Sequence, residues 1–357
     1  MQPLVSIDPA FEPPLLLLDL LRLARFRIRL AIFDTAMAIL RPAILSGITY
    51  QRLLSVLSAF ALIFMSAVFV RTMLPSFTAQ QSHDACVKYN ILQSHLTQEL
   101  LPDTPARDAS HLIIVAGHAI WKGQPSINAG EEASEWNLKD FQVGQQATFI
   151  KHIEMGVSQG LADQSAIVVF SGGQTDRGAG PVSEAQSYWN LAMARSIISE
   201  TDKEMSMRVL TEEYARDSYE NLLFSICRFY EFTNVYPQKI TVISHKFKAY
   251  RFDNLHRVAL RYPKSSFKFV GLSPPGEEPT EAERINAVEP FQQDPYACSH
   301  PMLVEKKMVR NPFRRRAPYV DSCPQLYGLF TYCTLNDTFY EGPLPWDMKS
   351  PYIDDMI

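Results

Sequence analysis

The signatures that would assign a chemistry at once are missing from this 357-residue chain. There is no G-x-G-x-x-G after a strand, no G-x-x-x-x-G-K-[ST] loop, and no G-x-S-x-G at a strand end. Dinucleotide, Walker-type and serine-hydrolase readings thereby lose their best support. Cysteine is scarce: Cys86, Cys227, Cys298, Cys323 and Cys333 are five and widely spread. None forms a C-x-x-C pair, so neither a zinc knuckle nor a thioredoxin-like redox motif is present. Cys323 and Cys333 either form a local disulfide in an oxidising space or remain thiols. Charge is balanced, with 34 Lys and Arg against 38 Asp and Glu. Such a balance gives no bias toward nucleic acid, which is excluded as a partner.

Long apolar runs are also few, and the one that exists is informative. Residues 53–70, LLSVLSAFALIFMSAVFV, form an uncharged stretch of 18 residues bracketed by Arg52 and Arg71. At a helical rise this covers roughly 27 Å, enough for a single transmembrane helix once its flanks are included. The stretch starts too deep for a cleaved signal peptide. Before it, residues 1–52 carry a basic amphipathic segment with Arg22, Arg25, Arg27 and Arg29 among apolar residues, suited to a lipid surface. The chain is therefore expected to be a single-pass membrane protein with membrane lipid as a partner. Which side its globular part faces, cytoplasm or endomembrane lumen, stays open.

Residues 71–110 read as a tether with a short helix over 85–100, closed by the breaker run LPDTPARD. From His111 the pattern becomes regular. Apolar, β-branched runs begin at His111 (HLIIVAG), Ser165 (SAIVVFSGG), Met207 (MRVLT), Lys239 (KITVIS) and Phe267 (FKFVGL). Runs unbroken by charge are those of strands buried on both faces. Helical stripes separate them: Phe149, Ile150, Ile153 and Val157 in one gap, and Tyr219, Leu222, Leu223, Ile226 and Tyr230 in another. Residues 183–198 and 252–260 fill the other two. Strand and helix alternating in this way predict an α/β domain over 111–275 with a mostly parallel sheet covered by helices. Residues 276–357 are expected to pack on it as a C-terminal extension. There, RNPFRRRAPY is a basic cluster, either a solvated surface or a contact with anionic lipid.

Ligands of open parallel sheets bind beyond the carboxyl ends of the strands. That rule gathers Gly117 and His118 after the first strand. It adds Ser171, Gly172 and Gly173 after the second, with Ser183 and Glu184 opening the next helix. The third strand contributes Glu213 through Asn221, with Glu213 and Asp217 spaced to share a helical face. The fourth contributes Ser244, His245, Lys246 and Lys248, with Arg251 beyond. Each has a bland alternative, as a turn glycine, an N-cap or a solvated ion pair. Their joint occurrence at successive strand ends points to a ligand site. Glycine N–H groups, helix N-termini and the Lys246, Lys248, Arg251 group favour a small anionic molecule such as a phosphate, pyrophosphate or carboxylate. Glu184 and Glu213, with His118 to orient, are the candidate acid–base groups. No metal site or cofactor is assigned.

Taken in order, these motifs resemble the SanA/ElyC/YdcF-like family, a domain of unknown function widespread in bacteria and found in fungi. The resemblance rests on Gly117, Ser171-Gly172-Gly173, Ser183-Glu184-Ala185, Glu213 through Ser218 to Asn221, and Ser244-His245 through Arg251, across about residues 111–275. The stretch EEYARDSYENLLFSICRFYE and the RNPFRR segment look like the fungal branch. In the family's fourth motif a histidine usually stands three before the arginine; here that position is Lys248. The resemblance implies a Rossmann-like three-layer fold, preceded here by the transmembrane helix, and membrane-linked roles without an agreed reaction. The resulting expectation is a membrane-anchored protein that binds or transforms an anionic, nucleotide- or phosphosugar-like molecule. The rival readings are a non-catalytic sensing module and an S-adenosylmethionine-type transferase using the same cleft.

Overall fold

The computed structural model of the chain describes Ser58, Leu62, Met65 and residues 108–199, 203–274, 281–334 and 338–347. The chain divides into two compact units, Met1–Asp84 and Ala85–Ile357. In the first, the three described residues are helical and exposed. The rest of the expected span 53–70, the amphipathic segment before it and the 85–100 helix lie outside the described residues. Among the described residues no helix is long and apolar enough to cross a membrane.

The second unit is built on five strands: β1 (His111–Ala116), β4 (Ala166–Ser171), β5 (Val209–Glu212), β6 (Lys239–Ser244) and β7 (Phe267–Gly271). They lie side by side in the order β5-β4-β1-β6-β7, every neighbouring pair parallel. A two-stranded antiparallel ribbon, β2 (Ile120–Trp121) with β3 (Trp136–Asn137), stands apart after β1. The sequence pattern gave no sign of the ribbon, because two-residue strands are too short to show a period.

β1 runs through the middle of the sheet and all its residues are buried. Successive strand side chains point to opposite faces, so Leu112 and Ile114 pack into one core and Ile113 and Val115 into the other. The first core is completed by α4 (Ser218–Thr233), through Leu222, Ile226 and Phe229. The second is completed by α1 (Gln146–Ala162), through Phe149, Ile153 and Val157, and by α2 (Glu184–Ala194), through Tyr188 and Leu191. The short α3 (Lys203–Met207) leads into β5. Two cores on two faces of one parallel sheet make an α/β, Rossmann-like fold.

A G-x-S-x-G string does occur at Gly156 through Gly160, but inside α1, where no strand-to-helix turn exposes the serine. Its glycines serve packing: a Cβ at Gly156 would strike Val115, and one at Gly160 would come within 2.6 Å of Val168 Cγ2. They let α1 lie close on the sheet.

The chain after β7 does pack on this unit. Helix α5 (Pro301–Val309) contributes Leu303 to the α4 core, and Tyr319, Leu326 and Leu329 join it further on. The cysteines pair otherwise than the sequence reading allowed: Cys298 bonds Cys333. Cys323 is instead a buried free thiol beside the Tyr236 hydroxyl, because its segment carries it into the core rather than toward Cys333.

Candidate functional site

From β1 the chain winds outward through β4 and β5, then returns to place β6 on the other side of β1. The loops leaving β1 and β6 therefore diverge, and a crevice opens beyond their carboxyl ends. A cavity of about 590 Å³ occupies it. Gly117 and His118 line it from β1, His245, Lys248 and Arg251 from the segment after β6, and Glu184 from the start of α2. Asp217, Ser218 and Asn221 enter from the start of α4. Glu283, Lys306 and Arg310 close it from the C-terminal extension.

The half of this arrangement built on β4 and α2 is turned inward on itself. Gly117 N donates to Ser171 O at 2.7 Å, Gly172 N to Glu212 O at 3.0 Å and Gly173 N to Ala215 O at 2.7 Å. The first amides of α2 are equally engaged, Glu184 N with Gly173 O, Ala185 N with Gly172 O, and Gln186 N with the Ser183 cap. The expectation that these amides hold an anion is thereby corrected: backbone carbonyls and a serine already take them. The glycines have another purpose. A Cβ at Gly117 or Gly172 would stand 2.7 or 2.5 Å from Glu184 Oε2. Both positions leave room for that carboxyl group, whose Oε1 accepts a hydrogen bond from Thr175 Oγ1. Burial raises the Glu184 pKa, with the Thr175 bond opposing.

Ser171 belongs to the same closed network. Its Oγ lies 2.8 Å from Glu212 Oε2 and 3.0 Å from Asn221 Oδ1. Glu212 also accepts from Tyr214 N at 2.7 Å and from the Tyr319 hydroxyl at 3.2 Å. Burial lifts its pKa to about 7, opposed by these donors. Glu213 points elsewhere, because adjacent residues leaving a strand face opposite sides. It takes Ser183 Oγ at 3.0 Å and Thr211 Oγ1 at 3.1 Å, with Arg315 at 3.8 Å, and it does not line the cavity. Nor does it share a helical face with Asp217. Residues 213–217 are not helical, and Asp217 is the N-cap of α4, accepting from Glu220 N.

The half built on β1 and β6 is different. Lys248 Nζ lies 2.9 Å from His118 Nδ1, and among the described residues no carboxylate comes within ion-pair reach of it. Burial, then the Arg251 and Arg310 guanidiniums, pull its pKa down to about 7, with the Glu283 and Glu184 carboxylates opposing. His118 is held neutral far below the usual imidazole range, by burial first and Lys248 second. It can therefore accept from the lysine ammonium while its Nε2 faces Ser244 Oγ at 3.4 Å. His245 and His152 stand beside it, with ring centroids 4.6 and 5.2 Å from its own. Burial lowers their pKa values to about 2 and about 4. Among the described residues no group of three or more His, Cys, Asp or Glu is arranged to hold a metal ion. Arg251 opens a π-helical segment, Arg251–His256, pairs with Glu283 at 3.0 Å and reaches Ser218 Oγ at 3.1 Å. Lys246 is exposed and outside the cavity.

Glu283, Lys306 and Arg310 also line the cavity and lie outside the strand-end set that the sequence pointed to. Arg310 had a visible signal, since it opens the basic cluster that was read as surface. Glu283 had none, for it follows a Pro/Glu-rich loop that nothing in the sequence ties to the strand ends.

Fold and site define an α/β protein with a Rossmann-like parallel sheet and a cationic cavity at the point where the strand order reverses. No family model and no solved structure matches the chain. A protein of Saccharomyces cerevisiae described as uncharacterized protein YOR238W is 33% identical over 263 residues, which cover 59% of this chain and 86% of the yeast protein. The chain belongs to the family of that yeast protein.

Proposed function

We propose that this chain binds and acts on a small anionic molecule of the nucleotide or phosphosugar kind in the cavity between β1 and β6. One observation carries the reading: the half-buried Lys248 ammonium stands in the cavity wall beside the Arg251 and Arg310 guanidiniums, and among the described residues no carboxylate is in ion-pair contact with it, Glu283 being paired with Arg251. A half-buried cation without an ion-pair partner of its own is costly, and a bound phosphate or carboxylate would supply that partner. Lys248, Arg251 and Arg310 would grip the anion, with His118 fixing the direction of the Lys248 amine. Glu184, a carboxyl group with raised pKa on the same wall, is placed to take a proton from or hydrogen-bond to a ligand hydroxyl. The proposal includes anchoring of the chain to a membrane through residues 53–70. It also includes membership of the SanA/ElyC/YdcF-like family, which the motif order supports.

The test is the unfolding temperature of the full chain with inorganic phosphate, pyrophosphate, nucleoside phosphates, sugar phosphates and S-adenosylmethionine. A ligand at a hundred times its dissociation constant stabilises by about 2.7 kcal/mol, a shift of a few degrees. The shift should vanish in Lys248→Ala. Turnover of the ligand that binds, lost in Glu184→Gln while binding persists, separates an enzyme from a sensing module. No shift with any anion would sink the reading.

A further inference from the structure

The cavity mouth carries large apolar side chains held in water by a fixed turn. Within Asp140–Gln142, the side chain of Gln142 is tied at both ends: Nε2 donates to His118 O at 2.5 Å and Oε1 accepts from Lys139 N at 2.9 Å. The turn is thus bound to the end of β1, and it presents Phe141 and Val143 to solvent, 71% and 63% exposed. Their exposure comes from a position the hydrogen bonds impose, not from a frayed end. Phe141 also lines the cavity, as does Phe247, whose ring stacks on His245 with centroids 5.2 Å apart. Buried Phe291 and Leu303 continue the apolar lining. Among the described residues Lys306 and Arg310, like Lys248, lack a carboxylate partner. Cations inside and pinned apolar side chains at the rim match a molecule with a charged head and an apolar tail.

We infer that the ligand is an amphiphile: a phosphate ester whose charged end is held by Lys248, Arg251 and Arg310, and whose alkyl chain leaves the cavity across Phe141 and Phe247. The inference rests on the anionic-ligand reading above and narrows it. A nucleobase stacked on Phe247 would leave Phe141 in water, whereas a chain passing out through the mouth covers it.

The experiment is calorimetric titration of the full-length chain, kept in solution by an amphipol, with inorganic phosphate, ethyl, butyl and hexyl phosphate, and adenosine monophosphate. Affinity should rise with chain length, by roughly three- to fourfold for each methylene that is buried. In the variant Phe141→Ser the slope should flatten, with an unchanged unfolding temperature confirming that the fold is intact. Equal affinities for inorganic and hexyl phosphate overturn the amphiphile and leave the anion site standing. Tighter binding of adenosine monophosphate than of hexyl phosphate does the same in favour of a base. Failure of every phosphate to bind removes the anion site and the amphiphile together.

Discussion

The two sides of the sheet's carboxyl edge look alike as sequence and differ in what their polar groups face. On the β4 and α2 side, Ser171, Gly172, Gly173, Ser183 and Glu212 spend their donors and acceptors on one another and on protein neighbours such as Ala215, Asn221 and Tyr319. On the β1 and β6 side, Lys248 lines the cavity with the neutral His118 imidazole as its hydrogen-bond partner and, among the described residues, no carboxylate in ion-pair contact. Buried polar groups that are fully satisfied stabilise and specify a fold; groups left without compensation weaken it and are kept for a ligand. Serine, glycine and acid at a strand end can thus be scaffold, while the cavity-lining cations Lys248 and Arg251 stand two strands away.

Substitutions on the two sides should therefore act in opposite directions. The largest effect is expected from Glu212→Ala, which strands the Tyr214 amide and the Tyr319 hydroxyl and removes one of the two partners of the Ser171 hydroxyl. A loss on the order of 3 kcal/mol or more should appear in urea unfolding. A loss under about 1 kcal/mol would mean the network is not the scaffold described. Lys248→Met should do the reverse, weakening anion binding by about a hundredfold in titration while raising the unfolding temperature, since it replaces a half-buried cation that has no ion-pair partner among the described residues with an apolar chain.

The pH dependence sharpens the contrast. The Lys248 pKa falls from 10.5 to about 7 in the folded state. Between these values the unfolded chain holds the extra proton, so wild-type stability rises with pH there. Below 7 the destabilisation is fully present. The advantage of Lys248→Met should accordingly be greatest at or below pH 7 and fade toward 10.5. Glu212 runs the opposite way, its pKa rising from 4.5 to about 7 on folding, so its contribution is lost as pH rises through that window. Anion affinity, which needs the ammonium, should be flat below pH 7 and decline by up to about tenfold per unit above it. An affinity unchanged from pH 6 to 9 would remove Lys248 from the grip. The smallest effect belongs to Glu213→Gln: half-exposed and outside the cavity, it should change stability by less than about 0.5 kcal/mol and leave anion binding as it was.

Much of the fold was legible because its causes are local. Runs such as HLIIVA and KITVIS have the unbroken apolar character of strands buried on both faces, and both became central strands. The stripe from Tyr219 to Ile226 became the buried face of α4. That the loops carrying His118, Glu184, Lys248 and Arg251 meet at one cavity was legible too, since parallel strands bring their carboxyl ends to one edge of the sheet. Which neighbour faced the cavity was not legible. Glu212 and Glu213 are adjacent acids, and only the strand's orientation turned one into the network and the other away.

The sequence by itself therefore determined the strand–helix alternation, the parallel sheet and the set of loops from which a site could be drawn, because apolar period and turn chemistry act over a few residues. Tertiary structure alone decided that β1 and β6 are neighbours, that Cys298 and not Cys323 bonds Cys333, and that Arg310 and Glu283 close the cavity. These depend on residues far apart in the chain meeting in space, which no local pattern encodes.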